Sequence, residues 1–173
     1  MHRRAAALGI AAALTAGCTD RLHDLAASTP GDVDVRSRYV DEDPLVASHR
    51  LDTRPVGSET QVLSFRAVAD ATDVFSPDAD AARTFVSEGH FVGDGGREVL
   101  VLVQRLASPA VDLRLGSVSR VGRRALRIAV DEVGTPDDGD PTVHTLLVRI
   151  ADARGTPERV TVSAEGDRVS VTV

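Results

Sequence analysis

Apolar and polar positions alternate with a period of two through most of the chain, the signature of strands that bury one face. Val33, Val35, Ser37 and Tyr39 are interleaved with Asp34, Arg36 and Arg38, which predicts a first strand. Asp41-Glu42-Asp43-Pro44 ends it, and Leu45–Leu51 is expected as a second, shorter one. Gln61–Ala69 predicts another, with Leu63, Phe65 and Ala67 on one face and Ser64 and Arg66 on the other. Val111, Leu113 and Leu115 alternate with Asp112 and Arg114, and Leu126, Ile128 and Val130 repeat the pattern after a Gly122-Arg123 turn. Val99–Val103 is apolar at every position, so it predicts a central strand covered on both faces. Val143–Ile150 reads as a strand after the Pro-, Gly- and Asp-rich loop Thr135–Pro141. Val160-Thr161-Val162 and Val169–Val173 flank Ala164-Glu165-Gly166-Asp167, a hairpin turn.

One stretch departs from this period. Ser76 suits an N-cap, Pro77 the first helical position, and Asp78 and Asp80 the positive end of the dipole. Ala82, Phe85 and Val86 fall on one face at helical spacing, and Gly89 terminates the segment. The pattern therefore predicts a mainly β fold, a β-sandwich or open barrel of about seven to eight strands. It carries one short α-helix, expected over about residues 77–88. Aromatic residues are only 3% of the chain, so the core is expected to be mostly Val, Leu and Ala.

The first residues follow a different logic. Arg3-Arg4 precede the apolar run Ala5–Ala16, too short for a bilayer span, which needs about 20 apolar residues. A charged start, a short apolar run and small residues before a cut describe an export signal. Here Leu14, Thr15, Ala16 and Gly17 lead into Cys18, the only cysteine. This arrangement resembles the lipobox of prokaryotic lipoproteins, in which the cysteine becomes the lipid-modified first residue of the mature chain. The resemblance implies residues 1–17 as export signal and 18–32 as lipidated Cys18 and polar tether, with 33–173 one β-rich globular domain. Lipid chains on Cys18 would anchor it to the outer face of the cell membrane. The Arg pair is compatible with both general and twin-arginine export.

Charge narrows the partners. The chain carries 20 basic and 26 acidic residues, a net charge of −6, and loss of Arg3 and Arg4 would leave −8. That sign gives no electrostatic case for nucleic acid. All 20 basic residues are arginine, as expected from a high-salt habitat or from a GC-rich genome. A single cysteine excludes an intramolecular disulfide.

Candidate chemistry is sparse. His49, His90 and His144 lack ligand spacing for a metal. The acidic stretch Asp131–Asp140, with Asp137, Asp138 and Asp140, offers hard oxygen ligands of the kind calcium uses, without an EF-hand's spacing or closing Glu. Gly93-Asp94-Gly95-Gly96 precedes a strand and lacks the Lys-Ser or Lys-Thr of a phosphate loop. No Gly-x-Ser-x-Gly occurs, and Ser48, His49 and Asp52 have no spacing that specifies a hydrolase triad. No catalytic residues and no cofactor are expected.

From the helix onward the order of elements resembles the domain at the C-terminus of PrcB-type proteins. The matching runs are Thr84-Phe85-Val86, Glu98–Gln104, Ser108-Pro109 and Val143–Ile150, and the similarity covers roughly Asp70–Val173. Such domains accompany secreted proteases, which they are thought to stabilise, and similar ones occur in lipoproteins of salt-loving archaea. Family members often carry Gly-Gly-Tyr or Ser-Gly-Tyr where this chain has Ser108-Pro109-Ala110-Val111. The resemblance implies an extracytoplasmic protein partner such as a protease. The expectation is a lipid-anchored, non-catalytic binding or protein-interaction module; the alternative is a small-ligand or calcium-binding lipoprotein. The valine-rich C-terminal hairpin is the candidate edge for an added strand.

Overall fold

The computed structural model describes residues 29–41, 43–51 and 59–173. Among the described residues, eight strands form two four-stranded sheets packed as a sandwich, with no closed barrel. The elements in chain order are β1 (Val33–Val40), β2 (Thr60–Phe65), α1 (Val68–Val74), α2 (Asp80–Ser87), β3 (Glu98–Ala107), β4 (Val111–Gly122), β5 (Ala125–Gly134), β6 (Thr142–Asp152), β7 (Arg159–Ala164) and β8 (Asp167–Thr172). Sheet order is β1-β6-β3-β2 in the first sheet and β4-β5-β7-β8 in the second. Every pairing is antiparallel except β5 with β7. That exception arises because the chain leaves the second sheet after β5, runs through β6 in the first, and returns as β7.

The first sheet is covered on both faces, as the unbroken apolar run in β3 requires. Val99, Val101 and Val103 point between the sheets, with Leu146, Val148 and Ile150 of β6 and Leu126, Ile128 and Val130 of β5. Leu100 and Leu102 point the other way, with Leu147 and Val40, toward α1 and α2. Ala71 and Phe75 of the α1 region, Ala82, Phe85 and Val86 of α2, and Phe91 close that second layer. The layers differ in filling. Pleated faces mesh through β-branched residues, so the inter-sheet layer is aliphatic. A round helix on a sheet leaves wider gaps, and all four phenylalanines of the chain go to this side: Phe75, Phe85 and Phe91 fully, Phe65 at its margin. Each buried Leu, Ile or Phe contributes about 1.5–3 kcal/mol of transfer free energy.

Four local expectations need correction. The helix expected over 77–88 is shorter, Asp80–Ser87, and its N-cap is Ala79 rather than Ser76. Ser76 instead accepts Ala79 N–H through its carbonyl at 3.1 Å, making a turn before the helix starts. The chain also holds a second helix, α1, within what read partly as strand, so β2 ends at Phe65 rather than Ala69. No cap side chain announces α1 locally; Asp94, distant in sequence, accepts Val68 N–H at 2.8 Å and supplies the missing partner. Leu45–Leu51 is not a strand: only Leu45 bridges, to Phe75, and residues 47–49 turn. The C-terminal hairpin is as expected, with Glu165 (φ 42°) and Gly166 (φ 92°) both in the left-handed region that a two-residue turn of this hand demands.

Candidate interaction surface

Helices cover the outer face of the first sheet, whereas the outer face of the second sheet is built of strand residues that alternate out of the core. On β5 these are Arg127, Ala129, Asp131 and Val133; on β7, Arg159, Thr161 and Ser163; on β8, Arg168, Ser170 and Thr172. Register places them in rows across all four strands, Ser119–Arg127–Thr161–Ser170 and Ser117–Ala129–Ser163–Arg168. Short side chains dominate, so the face is shallow. Arg114, Arg127, Arg159 and Arg168 project from it against Asp112 and Asp131, and none of the four arginines makes an ion pair among the described residues. On a chain of net charge −6 this is a local reversal of sign. Arg127 Nε and Ser163 Oγ are buried in it without a hydrogen-bond partner among the described residues. Val133 is one of two large apolar side chains exposed among the described residues.

The face keeps its shape through a bulge in its edge strand. Between Leu115 and Ser117 the β4–β5 register shifts at Gly116, where a Cβ would collide with the Asp131 carboxylate. Bulges also protect an edge from adding strands. The other edge, β8, is partly occupied: Ser64 Oγ donates to Thr172 O at 2.9 Å, and Asp167 accepts from Thr60 Oγ1 at 2.9 Å. The C-terminal hairpin is thus an edge in topology, with polar contacts from β2 already on it.

Two arginines clamp the sheets together at opposite ends. Arg105, near the end of β3, donates to Glu132 of β5 at 2.5 Å and to Asp167, the first residue of β8, at 3.2 Å. Burial disfavours its charge, but the Glu132 hydrogen bond and the Glu132, Asp167 and Glu59 charges outweigh that and hold the guanidinium's pKa above its ordinary value. Arg120, near the end of β4, is bidentate to Asp152 of β6 and also pairs with Asp32 at 3.1 Å. The Arg120 hydrogen bond depresses both carboxylates below their ordinary range. Arg154 reaches the same Asp32 from outside.

A third polar group joins β1 to β6. Tyr39 Oη lies 2.7 Å from His144 Nδ1, and the rings stack with centroids 6.0 Å apart. Thr142 Oγ1 is 3.0 Å from His144 Nε2, so both ring nitrogens are engaged. Beside it, buried Gln104 donates to Asp43 Oδ1 at 2.7 Å, fastening the segment after β1 to the sheet. These groups are internal fasteners, although Gln104 Oε1 stays buried without a hydrogen-bond partner among the described residues.

The residues singled out from sequence are scattered. Leu14, Thr15, Ala16, Gly17 and Cys18, with the rest of the lipobox and export signal, lie outside the described residues, as does Asp52. Asp137 lies in the loop after β5, where its carboxylate accepts from Ser108 Oγ at 2.7 Å and from Gly139 N–H at 3.2 Å. The Ser108 bond lowers its pKa. It holds its own loop against Pro109, while Asp138 and Asp140 face solvent. Among the described residues, no three His, Cys, Asp or Glu side chains are arranged to hold a metal ion. His49 sits in the 47–49 turn, His90 after α2 and His144 inside β6, so the three do not meet.

Sequence reasoning missed the buried arginines. The signal was present: Arg105 and Arg149 interrupt otherwise apolar runs in β3 and β6, and Arg149 is in phase with buried Leu147. Among the described residues no helix is long and apolar enough to cross a membrane. No protein-family model matches the chain, and neither a curated protein nor a solved structure matches it.

Proposed function

We propose that this protein is a lipid-anchored, non-catalytic protein-interaction module on the outer face of the cell membrane. The uncovered face of its second sheet docks on an acidic surface of a partner protein. The observation that carries this reading is the set of arginines, unpaired among the described residues, on a broad sheet face that none of the described helices covers. Charges of one sign on such a face steer an oppositely charged partner and reject similar ones. Small residues between the arginines let two surfaces approach closely, and exposed Val133 adds apolar contact. The lipobox-like Leu14–Cys18 supports the anchor, and the PrcB-like order of elements suggests a protease as the kind of partner.

The test is affinity purification from native membranes after mild crosslinking, comparing the unmodified protein with Cys18→Ser and with the double charge reversal Arg159→Glu/Arg168→Glu. Both arginines are exposed, so the reversal leaves the core intact. The account expects one protein enriched with the unmodified chain and lost from both variants. Equal capture by the charge-reversed variant contradicts the assignment of the face. Retention of Cys18→Ser in the membrane fraction contradicts the anchor.

A further inference from the structure

We propose that Arg149 and Arg36 form a binding site for a small tetrahedral oxyanion, a phosphate or sulfate group, on the helix-covered side of the first sheet. Arg149 is 2% exposed, yet no carboxylate pairs with it among the described residues. Its Nε and Nη1 are buried without hydrogen-bond partners, so two of its three nitrogens hold unused donors. Its partner among the described residues is the ring of Phe85 on α2, whose centroid lies 4.5 Å from the guanidinium carbon. A ring face stabilises a cation but accepts none of its in-plane N–H groups. The charge is therefore desolvated and half satisfied, which is unfavourable for an internal residue with no further role.

The register supplies the second cation. Arg36 of β1 lies directly opposite Arg149 of β6. Directly paired residues share a face, and like charges in that relation repel. β1 is an edge strand and Arg36 is exposed while Arg149 is buried, so Arg36 forms the solvent side of the pair. Flanking positions on the same face of β1 are Asp34 and Arg38, leaving the local balance positive. An anion between the two guanidinium groups removes the repulsion and gives the orphaned donors acceptors. Two monocations match a dianion, and guanidinium groups suit tetrahedral oxyanions, which present several oxygens at once. That favours phosphate or sulfate over a single carboxylate.

The test is calorimetric titration of the folded protein with inorganic phosphate, sulfate, glycerol phosphate and acetate at constant ionic strength, repeated on Arg36→Gln and Arg149→Lys. Arg36→Gln is the decisive variant, because an exposed side chain is changed and the fold is retained. The expected result is saturable one-site binding of phosphate or sulfate, weakened about tenfold or more in Arg36→Gln and in Arg149→Lys. Glycerol phosphate matching inorganic phosphate identifies a monoester headgroup as an acceptable source, and its exclusion identifies the free ion. Absence of saturable binding overturns the site. So does equal binding by Arg36→Gln, and acetate binding as tightly as phosphate overturns the dianion assignment.

Discussion

Arg120 grips Asp152 with two parallel hydrogen bonds, Nη1 to Oδ2 at 2.6 Å and Nη2 to Oδ1 at 2.7 Å, joining the end of β4 to the end of β6. The two residues belong to different sheets, and the Asp152 side chain is 1% exposed. The bond thus closes one end of the sandwich. Because Arg120 favours ionised Asp152, the carboxyl has a lower pKa folded than unfolded. The stability it confers is present above the ordinary carboxylate value of 3.8 and is lost as pH falls below that toward the lowered folded value. Asp152→Asn is expected to lower the melting temperature near neutral pH and to flatten its decline below pH 3.8, read by circular dichroism across an acid series. Parallel acid profiles for the two proteins contradict this role.

Tyr39 is the only tyrosine, and the chain has no tryptophan, so tyrosinate absorbance reports it alone. Burial, then the charges of Asp41 and Asp112, raise its pKa above the ordinary 10.0. The folded state therefore holds the proton that the unfolded state releases, and stability is full below 10.0 and declines as pH rises above it. Folded protein is expected to show a weaker tyrosinate band at pH 10.0 than denatured protein, which is half ionised there. Tyr39→Phe abolishes the alkaline decline but loses the His144 contact. Ionisation at the ordinary value in the folded protein contradicts the burial of this hydroxyl.

The second hydrophobic layer bears load comparable to the first. Leu147 points to the helices and Leu146 between the sheets, both at most 1% exposed. Leu147→Ala and Leu146→Ala are each expected to destabilise by about 2–5 kcal/mol, measured by urea unfolding. Val133→Ser, at an exposed site, is expected to stay within about 0.5 kcal/mol. A much smaller loss for Leu147→Ala indicates that α1 and α2 are only loosely docked.

How far the sequence discloses this molecule depends on whether the signal is local. Period-two alternation marked β1, β4 and β5, and the two-faced apolar run Val99–Val103 marked β3 as central, because burial acts residue by residue along a strand. Glu165-Gly166 announced its hairpin through turn chemistry. α1 escaped because its stabilising partners, Asp94 at its first turn and the sheet beneath it, are remote in sequence. Leu45 is apolar for the sake of a single bridge to Phe75, which a short window cannot distinguish from a strand. The arginine face required the sheet order: Arg114, Arg127, Arg159 and Arg168 are spread over four strands, and only the parallel return of β7 beside β5 brings them onto one sheet face. Sandwich pairing likewise set Arg36 against Arg149 across more than a hundred residues of chain.

The most direct test of the proposed interface is site-specific photocrosslinking on intact cell membranes. A benzophenone side chain replaces exposed Ser170 or Ser119 on the arginine-bearing face, or exposed Ser87 on α2 as the off-face control. The account predicts one crosslinked partner from both face positions, none from Ser87, and crosslinked peptides of the partner rich in Asp and Glu. Crosslinks from Ser87 with none from Ser119 or Ser170 would contradict it and place the interface on the helical side.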